Sequence, residues 1–76
     1  MLKKEGVVPG IPDIMIASAN GSYHGLFIEM KTESGMMSES QLKIKEKLES
    51  DGYKVEVCRG WDAARQITES YLNKIN

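Results

Sequence analysis

Two short apolar runs separated by a glycine-containing break constrain the fold of this chain more than any other feature of its sequence. Residues 13–18 (DIMIAS) follow a proline and residues 25–31 (GLFIEMK) begin with a glycine, and both have the length and composition of β-strands. Asn20-Gly21 lies between them, and this dipeptide favours a type I′ turn, in which both central residues have positive φ. The sequence therefore predicts an antiparallel hairpin, with Gly25 allowing a loop longer than two residues.

A helix is predicted after the hairpin, within residues 38–52. Ser38 is a suitable N-cap, and Gln41 three residues later completes the capping-box pattern. Glu39 suits the positive end of the helix dipole, and Gly52 is a typical stop signal. The residues that recur at helical spacing are Met37, Gln41, Ile44 and Leu48.

Two further elements complete the predicted fold. Residues 53–58 (YKVEVC) alternate as a third strand, which a helical crossover would place parallel to the second. Residues 60–75 are predicted to form a second amphipathic helix, with Asp62 as a candidate cap and an apolar stripe made of Trp61, Ala64, Ile67, Tyr71 and Ile75. Trp61 is expected in the core. The order strand, strand, helix, strand, helix predicts an α/β fold in which a small mixed sheet is flanked by helices.

Length and composition limit the number of domains and the expected location of the protein. The 76 residues predict a single domain over 1–76, and a domain of this size buries only about 60% of the surface that its unfolded chain exposes. A second subunit or a bound ion would therefore stabilise it. No apolar run approaches the roughly 20 residues of a membrane span, and the first residues lack the apolar segment of a signal peptide. The expected location is the cytoplasm, without a membrane partner.

The reactive side chains are few. Cys58 is the only cysteine, which excludes an intramolecular disulfide and a cysteine-built zinc site, and its strand-like surroundings predict a buried, inert thiol. His24 is the only histidine and is expected to be solvated in the hairpin loop. A net charge of −1 does not indicate a protein that holds nucleic acid by charge alone, although ten lysines and arginines remain available for phosphates.

Three charged residues are expected to meet on the hairpin: Asp13 at the start of the first strand, and Glu29 and Lys31 on the second. Hard divalent cations prefer oxygen ligands, so Asp13 and Glu29 could bind Mg²⁺ or Mn²⁺ together with the backbone carbonyl of Met30 and water. A bound metal activates water and polarises a phosphoryl oxygen, and Lys31 could orient that water. Each residue alone also has an ordinary explanation, because Pro-Asp is common at turns and alternating charges are common on half-solvated strands.

The order and spacing of these residues resemble a known signature. Gly10-x-Pro12-Asp13, fifteen intervening residues, Glu29-x-Lys31, and then a helix carrying Ser38-x-x-Gln41 are similar to the VRR-NUC family of the PD-(D/E)xK nucleases, over about residues 9–64. The resemblance implies a restriction-endonuclease-like fold and Mg²⁺- or Mn²⁺-dependent hydrolysis of DNA phosphodiester bonds. It further implies metal ligation by Asp13 and Glu29, catalysis by Lys31, and support of the site by Gln41.

The resemblance also carries expectations about assembly and substrate. Stand-alone, phage-type members are similar in size, are thought to act as homodimers, and favour branched DNA such as four-way (Holliday) junctions, here in the host cytoplasm if the chain is phage-encoded. Larger members have an N-terminal helix with an acidic residue. Twelve residues precede Asp13 here, and Glu5 is the only acid among them, so metal ligands beyond Asp13 and Glu29 stay open.

Two other functions remain open at this point. The chain could be a catalytically inactive DNA-binding or protein-interaction module with the nuclease fold, or an antitoxin-like regulatory protein. Among the basic residues, Lys54, Arg59 and Arg65 are candidates for phosphate contacts, and Tyr23 and Trp61 are possible contacts for unstacked bases.

Overall fold

The elements of the protein follow the predicted order in a computed structural model that describes residues 9–73. They are β1 (Ile14–Ile16), β2 (Leu26–Lys31), α1 (Glu39–Ser50), β3 (Lys54–Arg59) and α2 (Trp61–Asn73). The sheet has the order β1-β2-β3, with β1 antiparallel and β3 parallel to β2, which confirms the mixed α/β fold. Neither helix is long and apolar enough to cross a membrane. Glu5 and Ile75 lie outside the described residues.

The hairpin turn is displaced by one residue from the predicted position. Asn20 and Tyr23 exchange both backbone hydrogen bonds, at 2.9 and 2.7 Å, so the central residues are Gly21 and Ser22. Gly21 has a φ of +43°, whereas no residue other than glycine has positive φ in the described part of the chain. The predicted type I′ turn is therefore wrong, because it requires positive φ at both central positions. The antiparallel pairing of the two strands is confirmed.

The sheet separates the side chains of β2 onto two faces. Leu26 and Ile28 belong to the core cluster beneath α2, whose other buried members are Cys58, Ala64 and Tyr71. Glu29 and Lys31 point to the opposite face, where they contact α1. This alternation is the period of two that a strand imposes. It places the apolar core and the charged residues on different sides of one strand.

Two contacts fix α2 against the rest of the fold. The Tyr71 hydroxyl donates to the Ser18 carbonyl at 2.7 Å, and the Asn20 side-chain amide donates to the Tyr71 carbonyl at 2.8 Å. Burial raises the pKa of the Tyr71 hydroxyl, and burial together with the Glu56 carboxylate raises the pKa of the Cys58 thiol. Cys58 is buried, as predicted, and stays a neutral thiol at pH 7.

Trp61 is not part of the core. Its residue surface is 72% exposed, and it is the first residue of α2, so the prediction of a buried tryptophan is wrong. The paired part of the sheet ends at Lys31 and Arg59, and Trp61 follows Arg59 after a single glycine, so its side chain lies at the end of the sheet and not over it. Asp62 lies within that first turn of α2 and does not precede it as a cap.

Candidate active site

The strand register brings Asp13 and Glu29 together. The register of β1 ends with Ile14 opposite Ile28, so Asp13, the residue before β1, lies next to the Glu29 position of β2. The Asp13 Oδ2 atom accepts a hydrogen bond of 2.8 Å from the backbone N–H of Met30. This bond places the Asp13 carboxylate at the backbone of Met30, the residue that follows Glu29.

Glu29 is the only charged residue that is buried among those the structure describes, with 3% of its surface exposed. Its Oε2 atom accepts a hydrogen bond of 2.8 Å from Gln41 Nε2 and lies 3.5 Å from Lys31 Nζ. Its Oε1 atom is buried and has no hydrogen-bond partner in the described part of the chain. A buried carboxylate oxygen without a donor is costly, so this atom has the environment of a ligand that a cation would satisfy.

Gln41 connects the start of α1 to this carboxylate. Its Oε1 atom accepts from the Ser38 backbone N–H at 2.9 Å and from Lys31 Nζ at 2.8 Å. Both of those groups can only donate, whereas Glu29 on the other side can only accept, so the orientation of the Gln41 amide is determined. Ser38 Oγ in turn accepts from the Gln41 N–H at 3.1 Å, and the predicted capping box is confirmed. The same amide oxygen thus caps the helix and holds the lysine.

Gly10 brings the segment before β1 against the first turn of α1. Its φ is +93°, and a Cβ atom at this position would lie 2.7 Å from the Ser40 carbonyl carbon and 3.0 Å from the Gln41 nitrogen. Real side chains do not approach backbone atoms this closely, so only glycine allows the two segments to pack. Pro12 is buried next to it, and Asp13 follows. The glycine of the G-x-P-D motif therefore has a packing role that its position in the sequence did not reveal.

Arg59 holds the loop between Lys31 and the start of α1. Its Nη1 atom donates to the carbonyls of Thr32 and Gly35, at 2.7 and 2.6 Å, and lies 3.4 Å from the Glu33 carbonyl. Sequence reasoning considered Arg59 only as a phosphate contact, because nothing local to residue 59 indicates a bond to residues 24 to 27 positions earlier. The loop that joins the lysine to its supporting glutamine is consequently fixed by the end of β3.

The available donors fit a hard cation but form a small set. Within residues 9–73, no group of three or more histidine, cysteine, aspartate or glutamate side chains is placed to hold a metal. Asp13 and Glu29 are the two carboxylates that the sequence predicts as ligands, and the Met30 carbonyl and water would complete such a set. An all-oxygen set of this kind suits Mg²⁺ or Mn²⁺ and does not suit a thiophilic metal.

The Gln41→Glu substitution separates the two contacts of Gln41. Glutamate at this position still fits the capping-box pattern, but it replaces the Nε2 donor that faces Glu29 with a second carboxylate oxygen. We expect the metal-free variant to lose about 1–3 kcal/mol of unfolding free energy in urea titrations, because a buried acceptor loses its donor and meets a like charge.

The Ser38→Ala variant is the matched control for that experiment. It removes only the cap hydroxyl and should cost about 1 kcal/mol. A Gln41→Glu protein as stable as the wild type would show that the contact between Gln41 and Glu29 does not form in solution.

Comparison with known proteins identifies the family of this chain. The family profile of the VRR-NUC domain matches residues 2–62. A solved structure described as a VRR_NUC domain protein superposes with a TM-score of 0.85 and 34% sequence identity, covering 95% of this chain and 60% of that chain. The present chain therefore spans 60% of the length of that relative. A search of curated proteins gives no match. The chain belongs to the VRR-NUC domain family, whose fold is of the nuclease type.

Proposed function

We propose that this protein is a divalent-metal-dependent endonuclease that hydrolyses phosphodiester bonds in DNA, with a preference for branched DNA such as four-way junctions. One observation carries the proposal: the buried Oε1 atom of Glu29 has no partner among the described residues, while Lys31 lies 3.5 Å from the same carboxylate and Asp13 bonds to the backbone N–H of the next residue, Met30. Family membership independently supports a nuclease with DNA as its substrate. Without a bound cation, the buried Oε1 atom of Glu29 would stay unsatisfied.

The proposed site consists of metal ligands and one positively charged side chain. Asp13, Glu29 and the Met30 carbonyl would hold Mg²⁺ or Mn²⁺, which supplies an activated water and neutralises charge on a phosphoryl oxygen when bound. Asp13 is positioned for this role by the Met30 N–H, which occupies its Oδ2 atom. Glu29 is positioned by Gln41, which occupies its Oε2 atom and leaves Oε1 free.

Lys31 is the positively charged side chain of the proposed site. Its side chain is 16% exposed, and the residue lines an open cavity of about 430 Å³ at the ends of β2 and β3. Gln41 Oε1 holds the ammonium group at 2.8 Å, which fixes its direction without neutralising its charge. An ammonium group held in this way can orient the attacking water and stabilise the negative charge that develops on the phosphate oxygens.

The substrate preference and the assembly are proposed together. A chain of net charge −1 has little electrostatic affinity for an extended duplex, which favours recognition by the shape of the DNA. Ile11 precedes the short edge strand β1 and Met15 lies within it; they are 45% and 50% exposed, so a second subunit would bury apolar surface there. A two-fold homodimer with two sites would match a junction whose arms are also related by two-fold symmetry.

A cleavage panel tests the function. The purified protein is mixed with Mg²⁺ or Mn²⁺ and with linear, flap and four-way DNA of related sequence, and products are resolved on denaturing gels. The wild type should cut the branched substrates, and chelation of the metal should stop the reaction. The Lys31→Ala variant should be slower by about a hundredfold to a thousandfold, because it loses the group that stabilises the transition state.

The exposed Lys47, which pairs with Asp51 at the far end of α1, provides the matched control. Lys47→Ala should cut like the wild type. Equal rates for Lys31→Ala and the wild type would overturn the assignment of the lysine. A wild-type protein that binds DNA but never cuts it would favour the inactive binding module.

A further inference from the structure

Arg59, the last residue of β3, holds the turn that follows the proposed catalytic lysine. It is the partner of Lys31 in the parallel register of β2 and β3. Its Nη1 atom donates to the carbonyls of Thr32 and Gly35, at 2.7 and 2.6 Å. The Gly35 N–H donates to the Thr32 carbonyl at 3.2 Å and closes the turn over residues 32–35. A single nitrogen atom of Arg59 therefore fixes both ends of this turn.

The same turn borders the aliphatic part of the Lys31 side chain. A Cβ atom placed on Gly35 would lie 3.6 Å from Lys31 Cδ, so little more than the width of a methyl group separates the turn from the lysine. A lysine side chain is a flexible four-carbon stem, and its ammonium group keeps one position only where that stem is restrained. Gln41 Oε1 holds the ammonium end at 2.8 Å, and the turn lies along the stem.

We propose that Arg59 is a positioning residue for Lys31, which it keeps directed at the substrate by fixing the turn beside the lysine stem. The inference rests on the proposed function, because it concerns the lysine of that site. A substrate phosphate competes with Gln41 Oε1 for the Lys31 ammonium group, so this restraint weakens when DNA is bound. The restraint from the turn does not involve the ammonium group and persists. Arg59 therefore matters during catalysis more than during binding.

Positioning fits the geometry of Arg59 better than a direct contact with phosphate through the same nitrogen. Nη1 has two hydrogens, and three loop carbonyls already converge on it, with that of Glu33 at 3.4 Å. The planar guanidinium suits acceptors with fixed directions, whereas an ammonium group is a point charge on a flexible stem. A displacement of a catalytic group by about 1 Å can lower the rate by about a hundredfold, so a modest loosening of the turn should be measurable.

The first experiment measures the order of the Lys31 side chain in the metal-free protein without DNA, by carbon relaxation of its Cδ methylene group. Arg59→Ala should lower the order parameter of Lys31 toward that of Lys47, whose side chain is 68% exposed. Arg59→Lys should give an intermediate value, because its ammonium group can donate to the loop but lacks the planar fork. A role of Arg59 in global stability alone would not change the order of Lys31 in the folded protein.

The second experiment measures the cleavage of branched DNA in the presence of Mn²⁺. Arg59→Ala should lower kcat by about tenfold to a hundredfold and leave KM within about twofold of the wild-type value. The stabilisation by Mn²⁺ should be retained, since the proposed ligands Asp13 and Glu29 are unchanged. Ser34→Ala is the matched control, because it truncates an exposed side chain of the same turn, and it should cut like the wild type.

Two results would overturn the inference while the nuclease assignment stands. One is a raised KM with an unchanged kcat, which would make Arg59 a phosphate contact, and the other is wild-type order of Lys31 in Arg59→Ala. If Arg59→Ala does not fold, Arg59→Lys decides the question, and wild-type values of both kcat and Lys31 order would then overturn the inference. A wild-type protein that cuts no DNA would overturn the proposed function and, with it, the catalytic role of Arg59.

Discussion

Replacing Glu29 with glutamine is expected to lower the rate of the proposed DNA cleavage by about a thousandfold and to remove the stabilisation by Mn²⁺ that we expect for the wild-type protein. Glutamine has nearly the same shape, so the core beneath β2 stays packed. It has no negative charge and only one oxygen, which makes it a poor ligand for a hard cation. The loss of several kcal/mol of transition-state stabilisation accounts for the expected change in rate.

The stabilisation by metal is the readout that does not depend on catalysis. A ligand present at 100 times its dissociation constant raises the free energy of unfolding by about 2.7 kcal/mol. Urea titrations with and without Mn²⁺ should show an increase of this order for the wild type and none for Glu29→Gln. Asp13→Asn should also lose the increase, although its side-chain oxygen can still accept from the Met30 N–H.

Glu33→Gln is the matched control for the metal experiment. Glu33 is an exposed carboxylate in the loop after β2 and lines the cavity next to Lys31. Its neutralisation should leave the effect of Mn²⁺ on unfolding intact. A Glu29→Gln protein that Mn²⁺ still stabilises to the wild-type extent would place the cation elsewhere and contradict the ligand set proposed here.

Substitution of Gly10 by alanine is expected to cost about 3 kcal/mol or more of unfolding free energy, a large fraction of the stability of a domain this small. Two effects add. A φ of +93° is unfavourable for a residue with a side chain, and the new methyl group would overlap the backbone of Ser40. The segment that carries Asp13 would have to move away from α1, so cleavage should fall together with stability.

Gly60→Ala separates the two effects. Gly60 has a similar φ of +106°, but nothing lies within 4 Å of the position that its Cβ would occupy. This variant should show only the backbone strain, about 1 kcal/mol or somewhat more. Urea midpoints measured for both variants give the cost of the overlap by difference. Equal losses would mean that residue 10 does not pack against the start of α1.

The sequence predicts the elements of this fold well, because most of the signals are local. The capping box at Ser38 and Gln41 and the stop at Gly52 involve neighbours in the chain, and the crossover rule gave the parallel pairing of β2 and β3. Predictions from local sequence were wrong at the ends of elements, where contacts with the rest of the fold determine the structure. Trp61 has the spacing of a core residue, yet it lies past the paired strand ends. The turn shifted by one residue, because the bonds formed between Asn20 and Tyr23.

The sequence indicates which residues form the candidate site, but it does not indicate the hydrogen bonds and packing contacts between them. A motif indicates that Asp13, Glu29 and Lys31 belong together, and the register of β1 with β2 places Asp13 beside the strand that carries the other two. The free oxygen of Glu29 depends on which neighbours reach it, and the sequence contains no signal for that. The bonds of Arg59 to the loop after β2 and the approach of Gly10 to Ser40 join residues that are far apart in the chain. Such contacts follow from tertiary packing alone.

The shared oxygen of Gln41 links helix formation to chemistry. Unwinding of the first turn of α1 would release Lys31, and a substrate phosphate that draws Lys31 toward itself would weaken the hydrogen bond at the Ser38 amide. The hydrogen-exchange rate of the Ser38 amide should therefore rise when Lys31 binds a substrate phosphate. In the proposed mechanism, fraying of the helix and loss of reactivity are then the same local event, because both break contacts to the same oxygen atom.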